Sequence, residues 1–112
     1  MKLKLYWKSR ENVQYELGVL SYRENEYVFE INIEGLKDAI HHGCYGIGNF
    51  DLKQLEYRSN ELFDFFENRL PEERELKTII NSNNIKPDDK MKILEITKGK
   101  KFIDSYWLER EV

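Results

Sequence analysis

The sequence predicts an α+β fold, in which an antiparallel sheet of three N-terminal strands plus a C-terminal strand packs against about four helices. Apolar and polar residues alternate along the first third of the chain, and this period of two is typical of half-buried strands. From Glu34 onward the apolar residues recur at helical spacing. The alternation returns between Phe102 and Leu108, which predicts that a last strand rejoins the sheet.

Polar turns divide the N-terminal part of the chain into three strands. The strands are predicted at Lys2 to Lys8, Val13 to Tyr22 and Tyr27 to Ile33. Because short turns connect neighbouring strands, the three are expected to form an antiparallel meander. Gly18 lies inside the second strand, where a glycine indicates a β-bulge or the close approach of another backbone.

Four helices are predicted near residues 34–42, 60–70, 72–83 and 87–98. Gly43 and Gly99 stand where the first and the last helix are expected to end, since glycine readily adopts the left-handed conformation of a helix stop. Ser59 or Asn60 is expected to cap the second helix through its side-chain oxygen. Pro71 is expected to preset the first position of the third helix.

The segment between the first two helices has no clear period. Residues 44–50 hold two glycines among apolar residues, which predicts irregular structure or a short edge strand. Residues 51–58 fit either a helical turn or a loop. The path of the chain across these segments therefore stays open at the level of the sequence.

The length of 112 residues corresponds to one domain, residues 1–112, and excludes a two-domain enzyme. The net charge is −3, so the positive surface that a nucleic-acid-binding protein needs is not expected. No apolar run approaches the roughly 18 residues of a membrane span. Cys44 is the only cysteine and the N-terminus lacks the apolar core of a secretion signal, which together favour a cytoplasmic protein.

The charges are distributed unevenly along the chain. Residues 59–76 carry six acidic and two basic side chains, whereas residues 86–101 carry six lysines and three acidic side chains. These opposite charges fit two solvated helix faces that attract each other when the helices pack antiparallel. A bipolar docking surface is the alternative interpretation.

The side chains that could carry chemistry do not combine into an active site or a cofactor site. His41, His42 and Cys44 provide at most three metal-ligating donors, and no second pair of such residues completes the set. No third group is apparent that would hold a histidine beside Cys44 for nucleophilic catalysis. A phosphate-binding loop ending in Gly99 would need a glycine at position 94, which is leucine. We therefore expect a protein without enzymatic activity, metal or other cofactor.

A resemblance to a known family begins at the run Phe65-Phe66-Glu67-Asn68-Arg69-Leu70-Pro71-Glu72. This run is similar to the Phe-Phe-x-Asn-Leu-Leu-Pro segment in the N-terminal subdomain of HipA-type kinases, the toxins of bacterial HipBA toxin–antitoxin modules. Residues 17–30 resemble two paired strands of that subdomain, and residues 85–99 resemble the helix before its return strand. The chain departs from the family at residues 46–52, where a proline- and serine-containing stretch is usual.

The resemblance implies a function in protein binding. Full-length HipA proteins continue into a kinase core, which these 112 residues do not contain. Isolated N-terminal modules resemble the HipS-like antitoxins of tripartite HipBST systems, in which a separate protein restrains the HipT kinase. By this resemblance the chain would be a non-enzymatic antitoxin that binds a HipA/HipT-like serine/threonine kinase, together with a helix-turn-helix HipB-like protein. The alternatives are a structural half of a split kinase, required for its activity, and a small metal-binding protein.

Aromatic residues in excess of what a core of this size needs are the candidates for contact with a partner, because large aromatics dominate interface energetics. They are Trp7, Tyr45, Phe50, Tyr57, Phe63, Tyr106 and Trp107. The family motif adds Phe65, Phe66, Glu67, Asn68, Leu70 and Pro71. For Trp7, Phe65, Phe66 and Leu70 we expect core packing, and for Asn68 a local hydrogen bond or helix cap.

Overall fold

A five-stranded antiparallel sheet with four helices makes up the computed structural model, which describes residues 1–111. The strands are β1 (Lys2–Lys8), β2 (Gln14–Arg23), β3 (Glu26–Ile31), β4 (Glu56–Ser59) and β5 (Tyr106–Arg110). The helices are α1 (Ile33–His41), α2 (Asp64–Glu67), α3 (Glu73–Asn83) and α4 (Lys90–Thr97). The strands follow the order β4-β3-β2-β1-β5, so the predicted α+β class and the return of the last strand to the sheet are confirmed.

One hydrophobic core joins the sheet to the helices. Because alternate side chains of a strand point to opposite faces, the alternating apolar residues of β1, β2 and β3 share one face of the sheet. The helices α1, α2 and α4 add buried side chains to the same cluster. Its largest fully buried members are Leu3, Leu5, Leu17, Leu20, Phe29, Leu36, Ile47, Phe66, Leu94 and Leu108.

Gly18 has both of the properties that the sequence predicted as alternatives. Leu5 pairs with Gly18 and the next residue, Tyr6, pairs with Glu16, so one residue of β2 is bulged out of the ladder. A β-carbon on Gly18 would also lie 2.5 Å from the carbonyl oxygen of Glu30. The close packing of β3 therefore depends on Gly18, which lies directly beside the bulge.

The ends of the first and last helices agree with the predicted stops, and the third helix begins within one residue of its predicted start, whereas the second helix begins elsewhere. Gly43 and Gly99 have φ angles of +110° and +56° and lie just beyond α1 and α4. The predicted cap by Ser59 or Asn60 is wrong, since extended backbone at Phe63 delays α2 until Asp64 and no side chain caps that helix. The predicted helix over 60–70 is accordingly only four residues long.

Pro71 lies before the third helix and not in its first turn, so that prediction is also wrong. The residue flanking α3 is Glu72, which is extended, and the helix begins at Glu73. The helix α3 has no buried residue, although Leu76, Ile79 and Ile80 are half-buried on one side. It thus leaves part of its apolar side open.

The sheet also differs from the sequence prediction at both edges. The unpredicted strand β4 pairs with β3, bringing Tyr57 opposite Phe29. The last strand begins at Tyr106 and not at Phe102, because residues 102–105 form a turn ahead of it. Residues 44–50 are irregular, in agreement with one of the two predictions for them.

No helix among residues 1–111 combines the length and apolar character that crossing a membrane requires.

Candidate functional site

Residues 98–105, called here the tip loop, connect α4 to β5 and border three concavities of the surface. In the middle of this loop, Phe102 and Ile103 have relative exposures of 110% and 89%. Their apolar side chains are therefore almost completely in solvent. We call Phe102 and Ile103 the tip.

The side chain of Arg69 holds the base of the tip loop. It is 4% exposed, and its Nε donates a hydrogen bond of 2.7 Å to the carbonyl oxygen of Gly99. Its Nη1 and Nη2 donate to the two carboxylate oxygens of Asp104 at 3.0 and 2.5 Å. Nη2 also donates to the carbonyl oxygen of Tyr106, at 3.3 Å. One buried cation, in the turn that follows α2, thus holds both ends of the loop.

Sequence reasoning did not single out Arg69, although a signal was present. The residue stands in the motif where the family pattern has leucine, so a cation replaces an apolar side chain at this position. A buried cation requires acceptors, and this predicts a partner carboxylate elsewhere in the chain. The partner, Asp104, is 35 residues away and could not be identified from local spacing.

The first concavity is an aromatic cleft of about 440 Å³ between the loop at residues 48–50, β4 and α2. Its aromatic lining consists of Phe50, Tyr57, Phe63 and Phe65. The ring of Phe50 packs edge-on against those of Tyr57 and Phe63, with centroids 4.9 and 5.4 Å apart. Three of the predicted partner contacts and one motif residue therefore meet in one place.

Hydrogen bonds fix the loop that forms one wall of the aromatic cleft. The hydroxyl of Tyr57 accepts from the backbone N–H of Asp51 at 2.9 Å and donates to its carbonyl oxygen at 2.7 Å. Phe50, the preceding residue, is thereby held against the core ring of Phe29, at a centroid distance of 4.8 Å. The cleft is consequently preformed.

Polar side chains border the aromatic cleft. Asp64, Asn68 and Lys101 line it and are exposed. Asn68 ends α2, and its backbone N–H donates to the carbonyl oxygen of Asp64 at 2.9 Å. The local bond expected for Asn68 is thus made by its backbone. Its side-chain amide has no hydrogen-bond partner among the residues that the structure describes.

The second concavity, the Trp7 groove, lies on another side of the tip loop and measures about 430 Å³. Trp7, Tyr45, Ile103 and Tyr106 are among its lining residues. Tyr45 is completely exposed, whereas Trp7 is half-buried with its ring 5.9 Å from that of Tyr15. This groove brings together Trp7, Tyr45 and Tyr106, three further predicted candidates.

The hydroxyl of Tyr106 is a fixed hydrogen-bond donor inside the domain. It donates to the carbonyl oxygen of Gly46 and lies 3.5 Å from Sγ of Cys44. Burial, followed by the hydrogen bond to Cys44, raises the pKa of Tyr106 well above its usual value. The phenol therefore stays protonated, and it ties the loop that carries Tyr45 to β5.

The third concavity, the α3 groove, has a volume of about 730 Å³ and apolar residues from α3, α4 and the tip on its walls. Glu72 and Glu75 lie on the α3 side, and Lys100 and Lys101 lie on the side of the tip loop. Within residues 1–111, none of these four charged side chains forms an ion pair. The oppositely charged segments noted in the sequence thus face a common groove.

The remaining predicted residues lie on the opposite face of the sheet, in the core, in an ion pair or on the wall of the α3 groove. Trp107 is on the opposite face of the sheet, stacked on Tyr6 at 5.4 Å and 9% exposed. Phe66 is fully buried, in agreement with the expected core role, and Glu67 forms an ion pair of 2.8 Å with Lys90. Two motif residues, Leu70 and Pro71, are half-buried and line the α3 groove.

The candidate metal ligands do not form a cluster. His41 and His42 are exposed, with their rings 5.3 Å apart, and Cys44 is buried beside Tyr106. In the part of the chain that the structure describes, no group of three or more His, Cys, Asp or Glu side chains is arranged to hold a metal ion.

Comparison with known proteins gives one finding about the family. The family model of the HipA N-terminal domain matches residues 13–101, which include β2 to β4 and all four helices. Comparison with curated proteins finds no match. The matched region also contains the aromatic cleft and the first half of the tip loop.

Proposed function

Because the chain belongs to the HipA N-terminal domain family, we propose that it binds a HipA/HipT-like serine/threonine kinase and restrains that kinase. In this proposal the chain is the antitoxin-type subunit of a bacterial toxin–antitoxin system, and a helix-turn-helix HipB-like protein is a further partner. The HipA N-terminal domain is not the catalytic part of these kinases. The chain would accordingly act by contact, without chemistry of its own.

The observation that carries the proposal is the family match over residues 13–101. A domain of this family has a kinase core as its natural neighbour, and the surface facing that core must be apolar enough to be covered. The aromatic cleft, the Trp7 groove and the tip loop supply such a surface. Aromatic side chains in preformed concavities are the usual anchors of protein interfaces.

In this proposal the kinase core contacts the face of the domain that contains these concavities. Phe50, Tyr57 and Phe63 in the aromatic cleft, and Trp7 and Tyr45 in the Trp7 groove, are the proposed contacts. Trp107 is left out of this surface, because it lies on the other side of the sheet and is covered by Tyr6.

Binding and restraint are tested with the kinase core of a HipA-type protein that lacks its own N-terminal domain. The core is co-expressed with this chain, purified through a tag on the kinase, and assayed for phosphate transfer from ATP. We expect co-purification and a lower rate of phosphate transfer when this chain is present. A higher rate would contradict restraint and support the split-kinase alternative, and failure to co-purify would contradict the proposal as a whole.

The position of the interface is tested by a pair of matched substitutions. Asp64→Lys reverses a charge at the border of the aromatic cleft. Glu34→Lys, the control, reverses a charge on α1, outside the three concavities. Both residues are acidic side chains in the first turn of a helix, so both variants remove a negative charge near the backbone N–H groups of a helix start. We expect only Asp64→Lys to weaken binding of the kinase core. Equal binding by both variants would contradict the assignment of the cleft.

A further inference from the structure

The tip is a strongly exposed apolar feature of the domain and stands beside two positively charged side chains. Phe102 and Ile103 are adjacent, and both side chains are almost completely in solvent. Single exposed apolar side chains are common on proteins, but two such neighbours at the end of a loop form a protruding apolar surface. Lys100 and Lys101 precede them directly and make no ion pair within the described residues.

The residues at the two ends of the tip loop, called here its stems, are held by hydrogen bonds, whereas the tip between them is in solvent. On the first stem, the N–H of Gly99 donates to Oγ1 of Thr97 and its carbonyl oxygen accepts from Arg69. On the second stem, Asp104 binds Arg69 through both carboxylate oxygens and also accepts from the N–H of Tyr106 at 3.2 Å. The loop therefore presents the tip in a defined place, which lowers the entropy lost when a partner covers it.

The tip also lies where the concavities meet. Ile103 lines both the Trp7 groove and the α3 groove, and Lys101 lines both the α3 groove and the aromatic cleft. A partner that covers the tip would therefore reach the grooves on its sides. This arrangement resembles an interface with a central apolar anchor and a polar border.

We propose that the tip is the anchor of the kinase interface, and that it inserts into an apolar pocket of the kinase bordered by carboxylates. This inference rests on the proposed function and adds to it the chemistry of the partner surface. Phe102 and Ile103 supply the apolar anchor, and Lys100 and Lys101 face the acidic border of the pocket. The charge of the lysines favours an acidic protein surface and speeds the encounter with it.

The test uses the full chain and the kinase core in a direct binding measurement. Phe102→Ser combined with Ile103→Ser is expected to weaken binding at least about tenfold. Because both side chains are in solvent, the melting temperature is expected to stay within about 2 °C of the unsubstituted protein. Lys100→Glu with Lys101→Glu is expected to lower the association rate, whereas Lys37→Glu, an exposed change on α1, is the control and leaves it unchanged.

The outcomes separate this inference from the proposed function. If the unsubstituted chain does not bind the kinase core, both are overturned. If it binds and the tip variant binds equally well, the proposed function stands and the anchor is overturned. Two other results would also overturn the anchor, because each would assign the tip to a different partner. One is self-association of the chain in sedimentation that is lost in the tip variant. The other is binding to vesicles of anionic phospholipid that is lost in the same variant.

Discussion

Arg69 and Asp104 form a bidentate ion pair that joins the turn after α2 to the loop ahead of β5, with nitrogen–oxygen distances of 3.0 and 2.5 Å. The arginine side chain is almost fully buried, while the aspartate is 23% exposed. The pair therefore couples the family motif to the proposed binding surface. Its strength is a measurable property of the domain.

Arg69→Met is expected to lower the free energy of unfolding by about 3 kcal/mol. The substitution keeps an apolar side chain of similar length but leaves Asp104 without its cation and the carbonyl oxygen of Gly99 without its donor. Denaturation in urea, followed by tryptophan fluorescence, measures the change.

Arg58→Met is the matched control for this measurement. Arg58 also forms ion pairs, with Glu26 and Glu56 at 2.8 Å each, but its side chain is 56% exposed. Exposed pairs contribute little because water screens them, so we expect a loss below about 1 kcal/mol. Equal losses for the two arginines would show that burial of Arg69 has no special role.

Glu16→Gln is expected to weaken the acid-sensitive link between β2 and α1. Hydrogen bonding from Asn32 and then from Lys4 lowers the pKa of Glu16 below its ordinary value of 4.5. A lowered pKa in the folded state gives stability that is present above about pH 4.5 and is lost as the pH falls through the folded value. The variant should therefore be less stable by about 1 kcal/mol near pH 7, with the difference shrinking toward pH 3.

Free energies of unfolding measured from pH 7 down to pH 3 test this expectation. Glu11→Gln, in the exposed turn before β2, is the control, because Glu11 forms no ion pair among the described residues. A constant difference between Glu16→Gln and the unsubstituted protein across that range would contradict the role given to the carboxylate.

The sequence predicted the strands and helices that have a local residue pattern. It did not predict the elements that form only through contacts with residues far away in the chain. The strands β1 to β3 alternate over six or more residues, so their existence was clear. The strand β4 has four residues with only one large apolar side chain, Tyr57, and it is defined by its pairing with β3. The alternation that starts at Phe102 continues into β5, and only the bond between Arg69 and Asp104 reveals the loop ahead of that strand.

The sequence predicted which types of residue form the candidate site, but not which of these residues lie together. An excess of aromatic residues was visible in the sequence, and Phe50, Tyr57 and Phe63 stay predicted as partner contacts. Their meeting in one cleft depends on β4, which the sequence did not indicate. Trp107 belonged to the same set, but the register that places it opposite Tyr6 puts it on the other face of the sheet.

Phe66→Ala is expected to destabilise the domain by about 3–5 kcal/mol, since it removes a fully buried ring and leaves a cavity. The ring of Phe66 packs edge-on against Phe29 with centroids 5.1 Å apart. Its neighbour Phe65 is half-buried at the border of the aromatic cleft, so Phe65→Ala should cost less, about 1–2 kcal/mol. Urea denaturation of both variants checks the order, and a larger loss for Phe65→Ala would contradict the placement of the motif.

For Gly35→Ala, helix propensity predicts a gain in the stability of the domain, whereas packing predicts a loss. Alanine in place of glycine inside a helix usually stabilises it by about 1 kcal/mol. In α1, however, a β-carbon at position 35 would lie 2.0 Å from the backbone carbonyl oxygen of Glu16. Helix and strand must move apart to admit it, which typically costs about 1–3 kcal/mol and also disturbs the bond from the Gly35 N–H to Asn32.

We therefore expect Gly35→Ala to lower the midpoint of urea denaturation, whereas Lys37→Ala, an exposed change in the same helix, should leave it nearly unchanged. A higher midpoint for Gly35→Ala would mean that α1 does not pack this closely on β2. Since Asn32 caps α1 and also bonds to Glu16, the acid sensitivity expected for Glu16→Gln depends on the same close contact. The two variants should consequently show non-additive losses when they are combined.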